Sequence, residues 1–206
     1  MSLYDRLVKT LGPLIRFFFP TCLIDLPQTL PEEGIIICPN HISFFDPLFL
    51  AIFLPRNLTF MAKEELMHRP VIGKWLKGCG VIPLSRDGGD AAKLRQAVRE
   101  LKAGKIMAIF PQGTRLRYPL KKEDFKAGAG MMALLSGAKI LPVGIHAKNY
   151  KVRPFCKTTL AFGSLLSPQS MEISPELGKK EQALAISEKI YEKIAKLEQT
   201  AREEAK

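Results

Sequence analysis

Short apolar runs alternate with longer amphipathic stretches along most of the chain. The runs at 34–38, 58–62, 80–84, 105–110, 140–146 and 158–162 are rich in β-branched residues and bounded by turn residues, so they read as strands. Between them lie stretches of helical period. An apolar segment, 48–54, follows Pro47, which suits a first helical turn. A helix is expected over 64–77, with a break near Pro70. Over 91–103, Leu94, Ala97, Val98 and Leu101 share one face, and Gly104 is placed to end the helix. A small-residue helix runs to Gly137. At 179–204, Ile186, Ile190, Ile194 and Leu197 form a stripe on a polar helix. Strands alternating with helices predict an α/β fold with a largely parallel sheet and helices over both faces.

The first 26 residues depart from this alternation. Leu3, Leu7, Leu11, Leu14, Ile15 and Phe18 recur at helical spacing among Arg6, Lys9 and Arg16. No uncharged run approaches the roughly 20 residues that cross a bilayer, and no signal-peptide cleavage site is evident. The segment 1–26 is expected to form a helical unit that either packs on the domain or lies in a membrane interface. Residues 27–206, including the helix 179–204, form the main domain.

Chemistry enters at the loop after the first strand, Pro39-Asn40-His41-Ile42-Ser43-Phe44-Phe45-Asp46-Pro47. Histidine titrates near working pH and can take and return a proton. A carboxylate on one ring nitrogen fixes its tautomer and stabilises the imidazolium. A separation of five from His41 to Asp46 suits neither a helix face nor a strand face, but suits a loop folded back on itself. Asp46 is equally placed to cap the following helix, and both roles are compatible. Other strand ends carry cations: Lys63, Arg86 and Arg115. In open parallel sheets chemistry gathers beyond the strand carboxyl ends, so these residues are expected to share a cleft suited to a phosphate-bearing substrate.

The net charge of +11 on 206 residues adds an anionic partner to this picture: a membrane surface, a phosphorylated substrate or nucleic acid. Aromatics interleaved with the basic residues are too sparse for nucleic acid. Cys22, Cys38, Cys79 and Cys156 show no C-x-x-C, and His41, His68 and His146 show no ligand spacing, so neither a disulfide framework nor a metal site is expected. No G-x-S-x-G elbow supports a serine nucleophile. Cys38 lies in an apolar strand, where a thiol is usually inert.

Four blocks occur in order: Asn40-His41-x4-Asp46; Gly80-Val81-Ile82-Pro83-Leu84-Ser85-Arg86; Phe110-Pro111-Gln112-Gly113-Thr114-Arg115; and Leu141-Pro142-Val143. Together, across roughly 30–165, they resemble the 1-acylglycerol-3-phosphate acyltransferases of the PlsC-like group. The resemblance implies a mixed, largely parallel α/β sheet, often preceded by a membrane-binding helical element. It implies transfer of a fatty acyl group from a thioester, of coenzyme A or acyl carrier protein, to the hydroxyl of lysophosphatidic acid, with no bound cofactor. His41 would be the base and Asp46 its orienting partner. Arg86 would bind the acceptor phosphate, Gly113, Thr114 and Arg115 would shape the acceptor site, and Lys63 and Lys126 match basic positions flanking the second and third blocks. Gln112 stands where the family usually has glutamate, which leaves the acceptor open. The enzyme would work as a peripheral or monotopic protein at the cytoplasmic face, on an anionic phospholipid surface. Two other readings remain: an acyltransferase for glycerol-3-phosphate or another lysophospholipid, and a non-catalytic basic membrane-binding module. Phe49 and Phe53 are candidates for an acyl-chain groove or for plain core.

Overall fold

The computed structural model describes residues 3–68, 81–84 and 91–205. Among them, seven strands form one sheet: Thr21–Ile24 (β1), Ile35–Pro39 (β2), Leu58–Lys63 (β3), Ile82–Leu84 (β4), Ile106–Ala108 (β5), Lys139–Ala147 (β6) and Thr158–Phe162 (β7). Their order is β1-β7-β6-β2-β5-β3-β4. The pairs from β6 through β4 are all parallel; β7 runs antiparallel to β6, and β1 parallel to β7. The sheet is therefore mixed and largely parallel.

The central strand explains its own sequence. Ile35, Ile36, Ile37 and Cys38 are fully buried, and such burial on both sides calls for an unbroken apolar run. Alternation sends Ile35 and Ile37 into one core and Ile36 and Cys38 into the other. The first core is roofed by helices Leu3–Phe18 (α1) and Asp46–Phe53 (α2), the second by Ala91–Lys102 (α3), Gly128–Ser136 (α4) and Lys179–Glu204 (α5). The isoleucine stripe of α5, at Ile186, Ile190 and Ile194, faces inward. The α5 backbone lies so close to β6 that a Cβ on Gly144 would overlap the backbone of Leu197 and Glu198.

Parallel pairing brings the carboxyl ends of β6, β2, β5, β3 and β4 to one edge. At the opposite edge Arg56 gathers the carbonyls of Pro31, Glu32, Glu33 and Gly104, tying together the chain segments that precede β2, β3 and β5.

Two expectations need correction. Residues 21–24, read as part of a helical N-terminal unit, are a strand of the sheet, paired through Thr21 with Thr158. The apolar residues of α1 divide between two faces: Ile15 is buried and Leu11 and Phe18 pack on the core, while Leu3, Leu14 and Phe17 face out. The helix foreseen from residue 64 is a 3-10 turn over Glu64–His68, and the remainder of that expectation lies outside the described residues.

Candidate active site

The loop that leaves β2 is fastened before it turns. Asn40, fully buried, donates from Nδ2 to the Ile145 carbonyl (2.8 Å) and accepts at Oδ1 from the Ile145 N–H (2.6 Å). Its own N–H donates to the Val143 carbonyl at 3.3 Å. The side chain thereby extends the pairing of β2 with β6 by one more residue, after which the chain is free to bend.

His41 is next, with its ring half-buried against Phe110 at a centroid distance of 4.0 Å. Nδ1 lies 2.8 Å from Asp46 Oδ2. The same oxygen accepts the N–H groups of Ile42 (2.7 Å) and Ser43 (2.8 Å). Three donors on one carboxylate oxygen define the fold-back loop that the five-residue spacing requires. Asp46 is not the helix cap: it is the first residue of α2, Phe45 occupies the cap position, and no side chain caps the helix. Burial pushes the Asp46 carboxyl above its ordinary range, against the opposing pull of His41 and of the Ser43 and Ile42 N–H groups. With Asp46 ionised, Nδ1 carries the proton it shares with Oδ2. Nε2 is left without a hydrogen-bond partner among the described residues, free to act on a substrate.

The turn after β5 completes the wall. Gln112, 2% exposed, accepts the His41 N–H at Oε1 (2.6 Å), and the Leu116 N–H donates to the His41 carbonyl (2.8 Å). Among the described residues, the side-chain partner of Gln112 is the histidine backbone. Asp46 Oδ1 and Gln112 Nε2 are both buried without a partner among the described residues. Gly113 has φ +66°, a conformation that glycine adopts without steric cost, and a Cβ there would sit 3.4 Å from Lys126 Nζ. The Lys126 N–H donates to the Pro111 carbonyl (3.1 Å), and its carbonyl accepts from Ser187 Oγ (3.1 Å) of α5. Thr114, Arg115 and Lys126 are exposed on the rim.

The structure thus brings together His41, Asp46, Gln112, Gly113, Thr114, Arg115 and Lys126. Lys63 ends β3, and the β3 strand pairs with β5. Arg86 lies outside the described residues, two positions beyond the end of β4. Phe49 is plain core, fully buried, and Phe53 lies under the Arg16 guanidinium (5.1 Å). Cys38 is fully buried, and burial pushes its thiol far up, which suits an inert core residue. Sequence reasoning assigned no role to Asn40 or Phe110. The only available signal was their place beside the histidine and glutamine in their blocks. A second buried histidine, His146, pairs with Glu198 (3.0 Å), which also holds Arg202 (3.1 Å). This cluster joins β6 to α5 behind the sheet.

A sheet of parallel strands whose carboxyl edge carries a carboxylate-held histidine defines an α/β protein with its site in the usual place for such sheets. The chain belongs to the Acyltransferase family, whose profile matches residues 23–146, from β1 through His146. Its relatives are of the PlsC-like group. The 1-acyl-sn-glycerol-3-phosphate acyltransferase of Bacillus subtilis is 28% identical over 175 residues, 83% of this chain and 85% of that protein. The Streptococcus pneumoniae enzyme of the same name is 30% identical over 114 residues, 54% of this chain. That match spans only 41% of the pneumococcal protein. In fold the chain is similar to the 1-acyl-sn-glycerophosphate acyltransferase PlsC of Thermotoga maritima. The TM-score is 0.69 at 22% identity, covering 92% of this chain and 78% of that one.

Proposed function

We propose that this protein moves a fatty acyl group from a thioester to the free hydroxyl of 1-acylglycerol-3-phosphate, giving phosphatidic acid. The reading rests above all on the 2.8 Å contact between His41 Nδ1 and the buried Asp46 carboxylate at the carboxyl edge of the sheet. The names of the relatives supply the acceptor.

His41 Nε2 takes the hydroxyl proton as the oxygen attacks the thioester carbonyl carbon. The new C–O bond forms, and the carbonyl electrons move to oxygen. On collapse the C–S bond breaks, and the thiolate takes the proton back from the imidazolium. Asp46 supports the positive ring between these steps. A thioester is already activated, so no acyl-enzyme is needed, and a buried Cys38 is unsuited to forming one. Arg115 and Lys126 hold the acceptor phosphate from the rim beside Gly113 and Thr114, with Lys63, which ends β3, and Arg86, through the role that the resemblance implies, adding charge. The donor is acyl-coenzyme A or acyl carrier protein. The protein works from the cytoplasmic side of a membrane as a peripheral or monotopic enzyme, in keeping with the absence of any spanning helix among the described residues.

One observation keeps a second acceptor in view. Gln112 withholds the carboxylate usual at that position, leaving the rim more cationic, which would also suit glycerol-3-phosphate or another lysophospholipid. Purified protein given either thioester donor should acylate lysophosphatidic acid faster than glycerol-3-phosphate or neutral lysolipids. A preference for either of the others would move the acceptor while keeping the site. No acylation of any acceptor would favour a non-catalytic membrane-binding module.

A further inference from the structure

Phe17 and Phe155 are the most exposed large apolar side chains among the described residues, at 70% and 67%. They come from distant parts of the chain, the end of α1 and the segment between β6 and β7, yet their rings meet edge to face at 6.3 Å. Phe18 supports both, at 5.2 and 5.4 Å, and its carbonyl accepts the Phe155 N–H at 2.6 Å. Phe155 has φ +59°, a left-handed conformation that a bulky L-residue rarely adopts. Strain of this kind persists where the surroundings enforce it, and it often marks a functional position. Folding gains little from Phe155, because its ring stays largely in solvent.

The segment that carries Phe155 bears one sign of charge. Residues 148–157 contain Lys148, Lys151, Arg153 and Lys157 and no acid. Only Lys157 has an ion-pair partner among the described residues, Glu204. Leu14 and Leu3 continue the outward face of α1 from Phe17. Topology fixes where this patch sits. The segment leaves β6 and enters β7 at the carboxyl edge of the parallel strands, the edge that carries His41. Phe44, half exposed, extends the apolar surface on the His41 loop itself.

We propose that Phe17 and Phe155, with Lys148, Lys151 and Arg153 of the Phe155 segment, form a wedge that inserts into an anionic phospholipid bilayer and sets the His41 edge against the lipid. The proposal rests on the lipid-acyltransferase reading only for its purpose; the wedge itself stands on exposure, strain and charge. Aromatic rings enter the headgroup boundary while the cations meet anionic headgroups. A second copy of the chain is the competing occupant, but two such basic patches would repel each other.

The test is flotation of the full chain with vesicles of phosphatidylcholine alone or with phosphatidylglycerol, beside acylation of micellar lysophosphatidic acid in detergent. Wild type should float with the anionic vesicles and much less with the neutral ones. Phe155→Ser and Phe17→Ser should each weaken partitioning by about tenfold. Lys151→Glu with Arg153→Glu should weaken it by more than about tenfold and remove most of its salt sensitivity. Activity in micelles should be unchanged in all of these variants, which also shows that they are folded. Undiminished flotation of the variants would overturn the proposal. So would a wild-type dimer in solution that Phe155→Ser dissociates, because the patch would then cover a second copy. Flotation lost in the variants, with wild type inactive on every acceptor, would uphold the wedge and overturn the acyltransferase reading.

Discussion

Gln112 Oε1 accepts the backbone N–H of His41 at 2.6 Å, so the residue that departs from the family pattern directly holds the main chain of His41. The position needs an acceptor. Gln112→Ala strands a buried N–H, which costs roughly 1–3 kcal/mol, and frees the loop that aims the imidazole. Urea denaturation should register that loss together with a fall in kcat. Gln112→Glu keeps the acceptor and should retain activity within about tenfold, with any change concentrated in acceptor preference. Equal damage from Ala and Glu would show that the side-chain amide, not the acceptor oxygen, is what matters.

Asn40 makes the corresponding fastening on the other side of β2. Asn40→Ala leaves both the N–H and the carbonyl of Ile145 unpaired in a buried place. A stability loss of about 2–4 kcal/mol is expected, with Asn40→Asp intermediate at neutral pH because one of the two bonds survives. Hydrogen exchange at Ile145 offers a local check: protection there should fall more than at Ile36, deep in β2.

Asp46 should set a trade-off between stability and activity. Its carboxyl is raised above the unfolded value, so the native state binds its proton more tightly than the unfolded chain does. Between the unfolded carboxylate pKa, about 3.9, and the raised native value, stability should therefore fall as pH rises. Asp46→Asn lacks this slope. The stability of wild type relative to the variant should decline from pH 4 upward, while the variant loses most of its activity at neutral pH. A difference that grows with pH would mean that the bonds from His41, Ser43 and Ile42 outweigh burial.

Cysteine reactivity separates direct transfer from an acyl-enzyme route. In the native protein Cys38 should resist alkylation, while exposed Cys156 reacts readily. Cys38→Ala should keep at least about half the activity. An acylated Cys38 peptide trapped during turnover would refute direct attack.

The parts of this arrangement differed in how far they could be read in advance. The run Ile35 to Cys38 announced a central strand because a strand buried on both faces cannot hide its composition. The His41–Asp46 pairing followed from spacing and block order. β1 was missed because four half-buried residues directly after a helix carry little period, and its partner, β7, lies at the far end of the sequence. Asn40's role was equally invisible, with its partner 105 residues away. The stripe on α1 was visible, but period alone does not say whether an apolar face meets protein or lipid. Ile15 and Phe19 join the core, while Leu3, Leu14 and Phe17 stay exposed.

The central claim is that His41 is the base. Thiol release from an acyl thioester, followed with lysophosphatidic acid present and absent, reads it directly. Wild type should release thiol only with the acceptor. His41→Ala, shown by circular dichroism to be folded, should be slower by about 10²–10⁴-fold without a comparable change in acceptor KM. Release by the variant within about threefold of wild type would contradict the assignment.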